Sequence, residues 1–304
     1  MIFSLTSKNP LKATKRRVIR KKLRLLIILP FLLTGISALT ACHPKQETET
    51  GEKNTFNLYS NMVQDTFKIY VQKPVEYEEK TNSKYPLVLV TDANFYFPML
   101  APIVHQFEQT GLMKPIILVG VGYHSLEEMD SLRVRDFLFP SSLPSDETQA
   151  EGGAKKFQAF LRDELLPRLA DSLRLNADKA LLGHSFGGYF SLLTLFEQTR
   201  SGQYYFNKFV AASPTMWYND FYLNHLADSL KNKVVQDSAH LYLSVGGLED
   251  STWYVKPVHY MTKKLTSDSI GAINCTAINY KEMDHMDVGL LSFIHALKVW
   301  YKQE

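Results

Sequence analysis

The sequence predicts an α/β fold, a mostly parallel central sheet with helices on both faces. Apolar runs of strand length alternate with longer segments that carry apolar residues every three or four positions. That alternation is what a covered parallel sheet requires. The pattern Gly183-His184-Ser185-Phe186-Gly187 sits where the apolar run Ala180-Leu181-Leu182 meets the helix-like stretch from Tyr189 to Phe196. After a leader is set aside, 263 residues remain, enough for one sizeable core and too few for two comfortable domains.

The predicted strands are, in order, Thr66–Val71, Leu87–Thr91, Ile116–Val121, Lys179–Leu182, Phe209–Ala212, Leu241–Val245 and Thr276–Tyr280. Helices are predicted over Phe157–Leu173, Gly188–Gln198, Phe221–Leu230, Tyr254–Leu265 and Val288–Trp300. From Tyr123 to about Gly153 roughly thirty residues lack clear periodicity, and long connections of this kind are usually functional or disordered. This one holds aromatic residues and two arginines, a composition suited to lining a pocket.

Residues 1–41 read as an export signal and stay outside the fold. Nine lysines and arginines precede an apolar run, Leu25 to Ala41, which ends in Leu39-Thr40-Ala41-Cys42. This resembles a bacterial lipobox, which implies cleavage before Cys42 and lipidation of its thiol. The competing reading, an uncleaved membrane helix, has only 17 residues to span a bilayer. The expectation is therefore a signal peptide over 1–41, a polar tether over 42–54 and a single domain over 55–304. The chain would be lipid-anchored to a membrane in the bacterial cell envelope, on its extracytoplasmic side.

Without the leader the chain keeps 25 of its 34 lysines and arginines against all 31 acids, a net charge of about −6. The basic whole-chain balance thus belongs to the leader, and no basic stripe points to nucleic acid. Cys275 then stands alone in an apolar run and reads as an inert thiol.

A G-x-S-x-G between strand and helix forces a tight turn in which the serine is strained and its neighbours two positions away must be glycine. The turn lifts the hydroxyl to a helix N-terminus, where free N–H groups can hold an oxyanion. Ser185 is the candidate nucleophile, and it needs a base and an orienting acid. Of the downstream histidines, His240 opens a strand, and His225, His259 and His295 fall in helix patterns. His285 alone lies in a short loop after the last strand. The acid should follow the preceding strand, where Gly246-Gly247-Leu248-Glu249-Asp250 presents two adjacent carboxylates; Asp250 is the first choice and Glu249 the second. For the oxyanion hole, Phe186 supplies one N–H and the turn Asp92-Ala93-Asn94 the other, at Asn94 or else Ala93. Trp217 follows a strand at the same rim and could be core or a substrate platform. Asp284 or Asp287 could join His285 on a metal, but no second ligand set accompanies them. Neither a metal nor an organic cofactor is called for.

Assembled, these residues resemble the esterase D branch of the α/β-hydrolases over about residues 56–302. The resemblance rests on Tyr85 to Asn94, the Ser185 turn, Ser213-Pro214-Thr215-Met216-Trp217, the run Gly246 to Ser251 and Asp284-His285. It implies the α/β-hydrolase fold and a serine carboxylic-ester hydrolase. The segment ending Arg135-Asp136 and the Ser-Pro-x-x-Trp pattern are most similar to the siderophore esterases, which implies that Arg133 or Arg135, with Trp217, borders the substrate. Where many relatives have Asp-Gly, this chain has Asp92-Ala93. The expected partner is a small-molecule or glycan ester, a catecholate trilactone or a carbohydrate-linked acyl group. An acyltransferase on the same scaffold and a non-catalytic ligand-binding surface lipoprotein are the alternatives.

Overall fold

A computed structural model describes residues 54–230, 238–267, 270 and 272–303. The expected signal segment, Cys42 and nearly all of the tether lie outside the described residues. Eight strands form one sheet: β1 (Thr55–Ser60), β2 (Asp65–Gln72), β3 (Tyr85–Val90), β4 (Ile117–Gly122), β5 (Leu175–His184), β6 (Lys208–Ala212), β7 (Ser238–Gly246) and β8 (Ala272–Tyr280). Their spatial order is β1-β2-β4-β3-β5-β6-β7-β8. The pairs β1–β2 and β2–β4 are antiparallel and every other pair is parallel. The predicted mostly parallel sheet is the observed one.

Alternation along the strands divides the core in two. Leu87, Leu89, Leu181, Phe209 and Ala211 face one layer, and Val88, Val90, Ala180, Leu182, Val210 and Ala212 face the other. The first face is covered by a continuous helical stretch and by three further helices. The stretch consists of α3 (Ala154–Ala159), a π-helical turn Phe160–Leu165 and α4 (Leu166–Ser172), followed in the chain by α5 (Phe186–Ser201), α6 (Tyr218–Asp228) and α7 (Lys256–Ser267). The second face carries α1 (Ala93–Gln109) and α8 (His285–Trp300), through Tyr96, Leu100 and Val104 and through Val288, Phe293 and Leu297. Among the described residues no helix is long and apolar enough to cross a membrane.

Three elements depart from expectation. β1 is a sheet edge whose residues are mostly half-exposed, so its apolar signal is weak. α1 contains Pro98 and Pro102, which argue against a helix in sequence but are tolerated here by packing on the sheet. The stretch predicted to be aperiodic contains α2 (Leu126–Phe137), capped at Ser125, whose hydroxyl accepts from the Glu128 N–H.

α2 buttresses the Ser185 turn from below. The Arg133 guanidinium donates to both carboxylate oxygens of Asp92, at 2.9 and 2.8 Å, and to the His184 carbonyl at 3.2 Å. Asp92 is buried and Arg133 mostly so, with side-chain exposures of 2% and 13%. Burial opposes the guanidinium charge, yet Asp92 outweighs it and holds the Arg133 pKa above its ordinary value. The His184 ring lies edge-on to Tyr96, and its Nε2–H donates to the His285 carbonyl at 2.8 Å. Burial first, then His285 and Arg133, push the His184 pKa down to about 3, so the ring stays neutral.

Two outcomes follow from this buttress. Arg133→Met leaves the buried Asp92 carboxylate unpaired and should lower unfolding free energy by about 3–5 kcal/mol. Asp92→Asn in the same chain should restore part of that loss; urea unfolding measures both. Because the folded state resists protonating His184, its contribution is whole above about pH 6.5 and declines as pH falls toward 3. Denaturation curves across that window should show a shallower decline in His184→Gln.

Candidate active site

The five residues Gly183 to Gly187 form the sharp turn between β5 and α5. A Cβ on Gly183 would run into the Gly187 carbonyl, so the helix can start this close to the strand only without a side chain there. Ser185 takes φ 59° and ψ −118°, a conformation costly for a non-glycine residue. The strain is held by its backbone: Ser185 N–H donates to Ala212 O at 2.9 Å, and its carbonyl accepts from Tyr189 and Thr215. Ser185 is half-buried at the carboxyl edge of the sheet.

His285 is the first residue of α8. Asp284 caps the helix, accepting from the His285 N–H at 2.7 Å, and Asp287 accepts from the Asp284 N–H in return. The imidazole lies against the His184 ring, with centroids 4.6 Å apart, and against Tyr254 at 4.9 Å. The structure therefore brings Ser185 and His285 to one edge, with His184 touching both through chain and ring. Gly289, one turn along α8, leaves room for Tyr96 and His184, which a Cβ would strike.

The carboxylate that meets His285 is Glu249, not Asp250. His285 Nδ1 and Glu249 Oε2 are 2.6 Å apart, and the Glu249 side chain is 1% exposed. Its other oxygen accepts from Gly246 N–H at 2.6 Å and from the Ser213 hydroxyl. Asp250 is exposed, and its Oδ1 caps the π-helical turn Ser251–Val255 by accepting from Thr252 and Trp253 N–H. Adjacent residues in the turn after β7 point opposite ways, and the inward one is the glutamate. With Nδ1 donating to Glu249, the imidazole keeps its lone pair on Nε2.

Phe186 is the first residue of α5 and Asn94 the second of α1, the two helices that begin at this edge. Neither backbone N–H donates to a described residue, which leaves both to an incoming anion. The Asn94 side chain is already committed, donating to Tyr123 O at 2.8 Å and accepting from Tyr123 N–H at 2.6 Å.

Both arginines expected to border a substrate are ion-paired to carboxylates. Arg133 is held by Asp92 and packs against the Phe186 ring, its Cζ 5.1 Å from the centroid. Arg135 binds Asp136 twice and Asp65 on β2. Both cations are neutralised by carboxylates remote or adjacent in sequence, inside the fold. Trp217 does line a cleft of roughly 620 Å³, together with Phe221, Trp253 and Tyr254. Leu143, Ser145, Asp146 and Glu147 of the long connection close another wall. That connection is pinned by Tyr189 and Tyr218 hydroxyls donating to the Phe139 and Pro140 carbonyls. Ser185 and His285 stand just outside the cleft. Trp217 packs on Phe186, and Tyr254 reaches His285.

The sequence marks Asp92 as a brace of its turn, which it is through Arg133, but gives no sign of Ser213 as a support and for His184 only its position inside the serine turn. Cys275 is half-buried and its thiol is pushed up to about 11 by burial, away from reactivity. Among the described residues no group of three or more histidines, cysteines or acids could hold a metal.

A family model described as Putative esterase matches residues 60–263. The ferri-bacillibactin esterase BesA of Bacillus subtilis is 28% identical over 198 residues, 60% of this chain and 66% of that protein. The siderophore triacetylfusarinine C esterase of Aspergillus fumigatus is 27% identical over 216 residues, 67% and 72% of the two chains. The solved structure of the BES protein from Bacillus cereus matches with a TM-score of 0.71 at 23% identity, over 83% of this chain and 97% of that one. An IroE-like serine hydrolase from Shewanella oneidensis also gives 0.71, at 22% identity over 82% and 80%. At these identities the solved structures speak for the fold, which is that of the α/β-hydrolases. The family match covers well over half of the chain, and the protein accordingly belongs to the Putative esterase family, the carboxylic-ester hydrolases of this fold.

Proposed function

We propose that Ser185, His285 and Glu249 act as nucleophile, base and orienting acid in ester hydrolysis. The observation that carries this reading is the 2.6 Å contact between His285 Nδ1 and the buried Glu249 carboxylate beside the strained serine turn. His285 Nε2 takes the Ser185 proton as Oγ adds to the ester carbonyl. Glu249 stabilises the imidazolium and fixes its tautomer. The oxyanion is received by the Phe186 and Asn94 N–H groups. When the tetrahedral adduct collapses, the C–O bond to the alcohol breaks and His285 returns its proton to that oxygen. Water then attacks the acyl-enzyme by the same route and restores the Ser185 hydroxyl. Among the described residues the Ser185 hydroxyl has no hydrogen-bond partner; such contacts often tighten only once substrate is bound.

Siderophore esters are the substrates favoured by likeness, since the relatives named are esterases of siderophores. Carbohydrate-linked acyl esters are the second class the chemistry accommodates. The sequence of the leader supports an extracytoplasmic enzyme tethered through lipid on Cys42.

Ser185→Ala should lower turnover of short p-nitrophenyl esters at least about 10³-fold with the thermal transition unchanged. Glu249→Gln should cost about 10²-fold or more, and Asp250→Asn less than about fivefold. Steady-state rates on the three purified variants decide, and a reversed order for the two acids would exclude the assignment. For the anchor, expression of full-length protein and Cys42→Ser in a bacterial host, followed by membrane fractionation, should move the esterase from the membrane to the soluble envelope fraction.

A further inference from the structure

The cleft beside Ser185 has aromatic walls and an acidic rim. Trp217, Phe221, Trp253 and Tyr254 supply the rings, Asp146, Glu147 and Asp220 supply carboxylates, and no lysine or arginine lines it. Phe221 and Trp253 lie nearly parallel, with 7° between their planes. Among the described residues none of the three carboxylates is in an ion pair. Asp146 is held in place by the Leu143 N–H at 2.7 Å.

The two arginines of the connection that forms one wall are held by other carboxylates. Arg133 is matched by Asp92, and Arg135 by Asp136 and Asp65. His285 faces Glu249. Of the three rim carboxylates, Glu147 also acts on Tyr254, the ring beside His285. Burial raises the Tyr254 pKa first, a hydrogen bond with Trp217 acts the other way, and Glu249, Glu147 and Asp250 then add to the rise.

Aromatic faces attract cations through their quadrupole, and carboxylates at the rim strengthen that attraction while repelling anions. A ferric tris-catecholate is a trianion, the wrong charge for such walls. Its iron-free form, a ferric tris-hydroxamate and an amine-bearing ester are neutral or positive. We propose that the cleft selects esters whose bulky portion is aromatic or apolar and neutral to cationic, and excludes polyanionic ones. This rests on Ser185 being the nucleophile, and Asp146, Glu147 and Asp220 are then specificity-determining residues.

The test compares p-nitrophenyl esters of butyrate, 4-(trimethylammonio)butyrate and glutarate, and a second series of butyrate esters with the same charges placed on a phenyl alcohol. At low ionic strength kcat/KM should favour the cationic over the anionic ester by about tenfold or more in at least one series. The ratio should shrink in 0.5 M salt and in a D146N/E147Q/D220N variant. An iron-free tricatechol trilactone should be opened faster than its ferric complex. Equal or better turnover of the anionic esters in both series, or a ratio that the triple variant leaves intact, overturns the charge selectivity. Loss of all turnover together with failure of a fluorophosphonate probe to label Ser185 would instead overturn the nucleophile assignment, so the two failures are distinguishable.

Discussion

The site depends on one close approach of backbone to backbone, where β5 turns into α5 with almost no connecting chain. Gly183 and Gly187 leave the space, and Ser185 absorbs the strain at φ 59°. A strained residue persists only where its surroundings over-determine it. Here the Ala212 carbonyl on the neighbouring strand and the first turn of α5 hold the Ser185 main chain from both sides. The Phe186 N–H at the start of α5 lies in the same turn, so the hydroxyl and one of the proposed oxyanion donors belong to one backbone feature.

Beneath that turn the polar groups are arranged so that none is left charged and unpaired. Arg133 and Asp92 neutralise one another and reach the His184 carbonyl. His184, kept neutral by burial, donates to the His285 main chain. On the far side Glu249 is held by Gly246 and Ser213 before it ever meets the imidazole. Buried polar groups are tolerable only when so satisfied, and fully satisfied they fix geometry. In the proposed reaction the consequence is a base whose position is set by main-chain capping and whose tautomer is set by a carboxylate held in place. The same pairing neutralises both arginines, and the aromatic cleft is lined by carboxylates with no lysine or arginine among them.

What escaped the sequence did so for identifiable reasons. α1 hides behind Pro98 and Pro102, which break a helix in isolation but not one laid on a sheet. β1 is an edge strand with little to bury, and α2 is too polar to show a clear apolar stripe. The arginines were placed by likeness, and apart from Asp136 beside Arg135 their partners, Asp92 and Asp65, lie 41 and 70 positions away. Such distances carry no local pattern. The choice between Glu249 and Asp250 turned on one residue of rotation in a glycine-rich turn.

The sequence alone determined the strand–helix alternation, the turn around Ser185 and the order in which a base must follow it. Each of these is local: a period, a glycine spacing, a loop after a named strand. Only the tertiary structure decided which carboxylate faces His285, which cations remain free and what lines the cleft. Those outcomes depend on which groups satisfy one another across the sheet. The strained serine was therefore readable from five residues, while its partner acid and the charge of its surroundings required the whole fold.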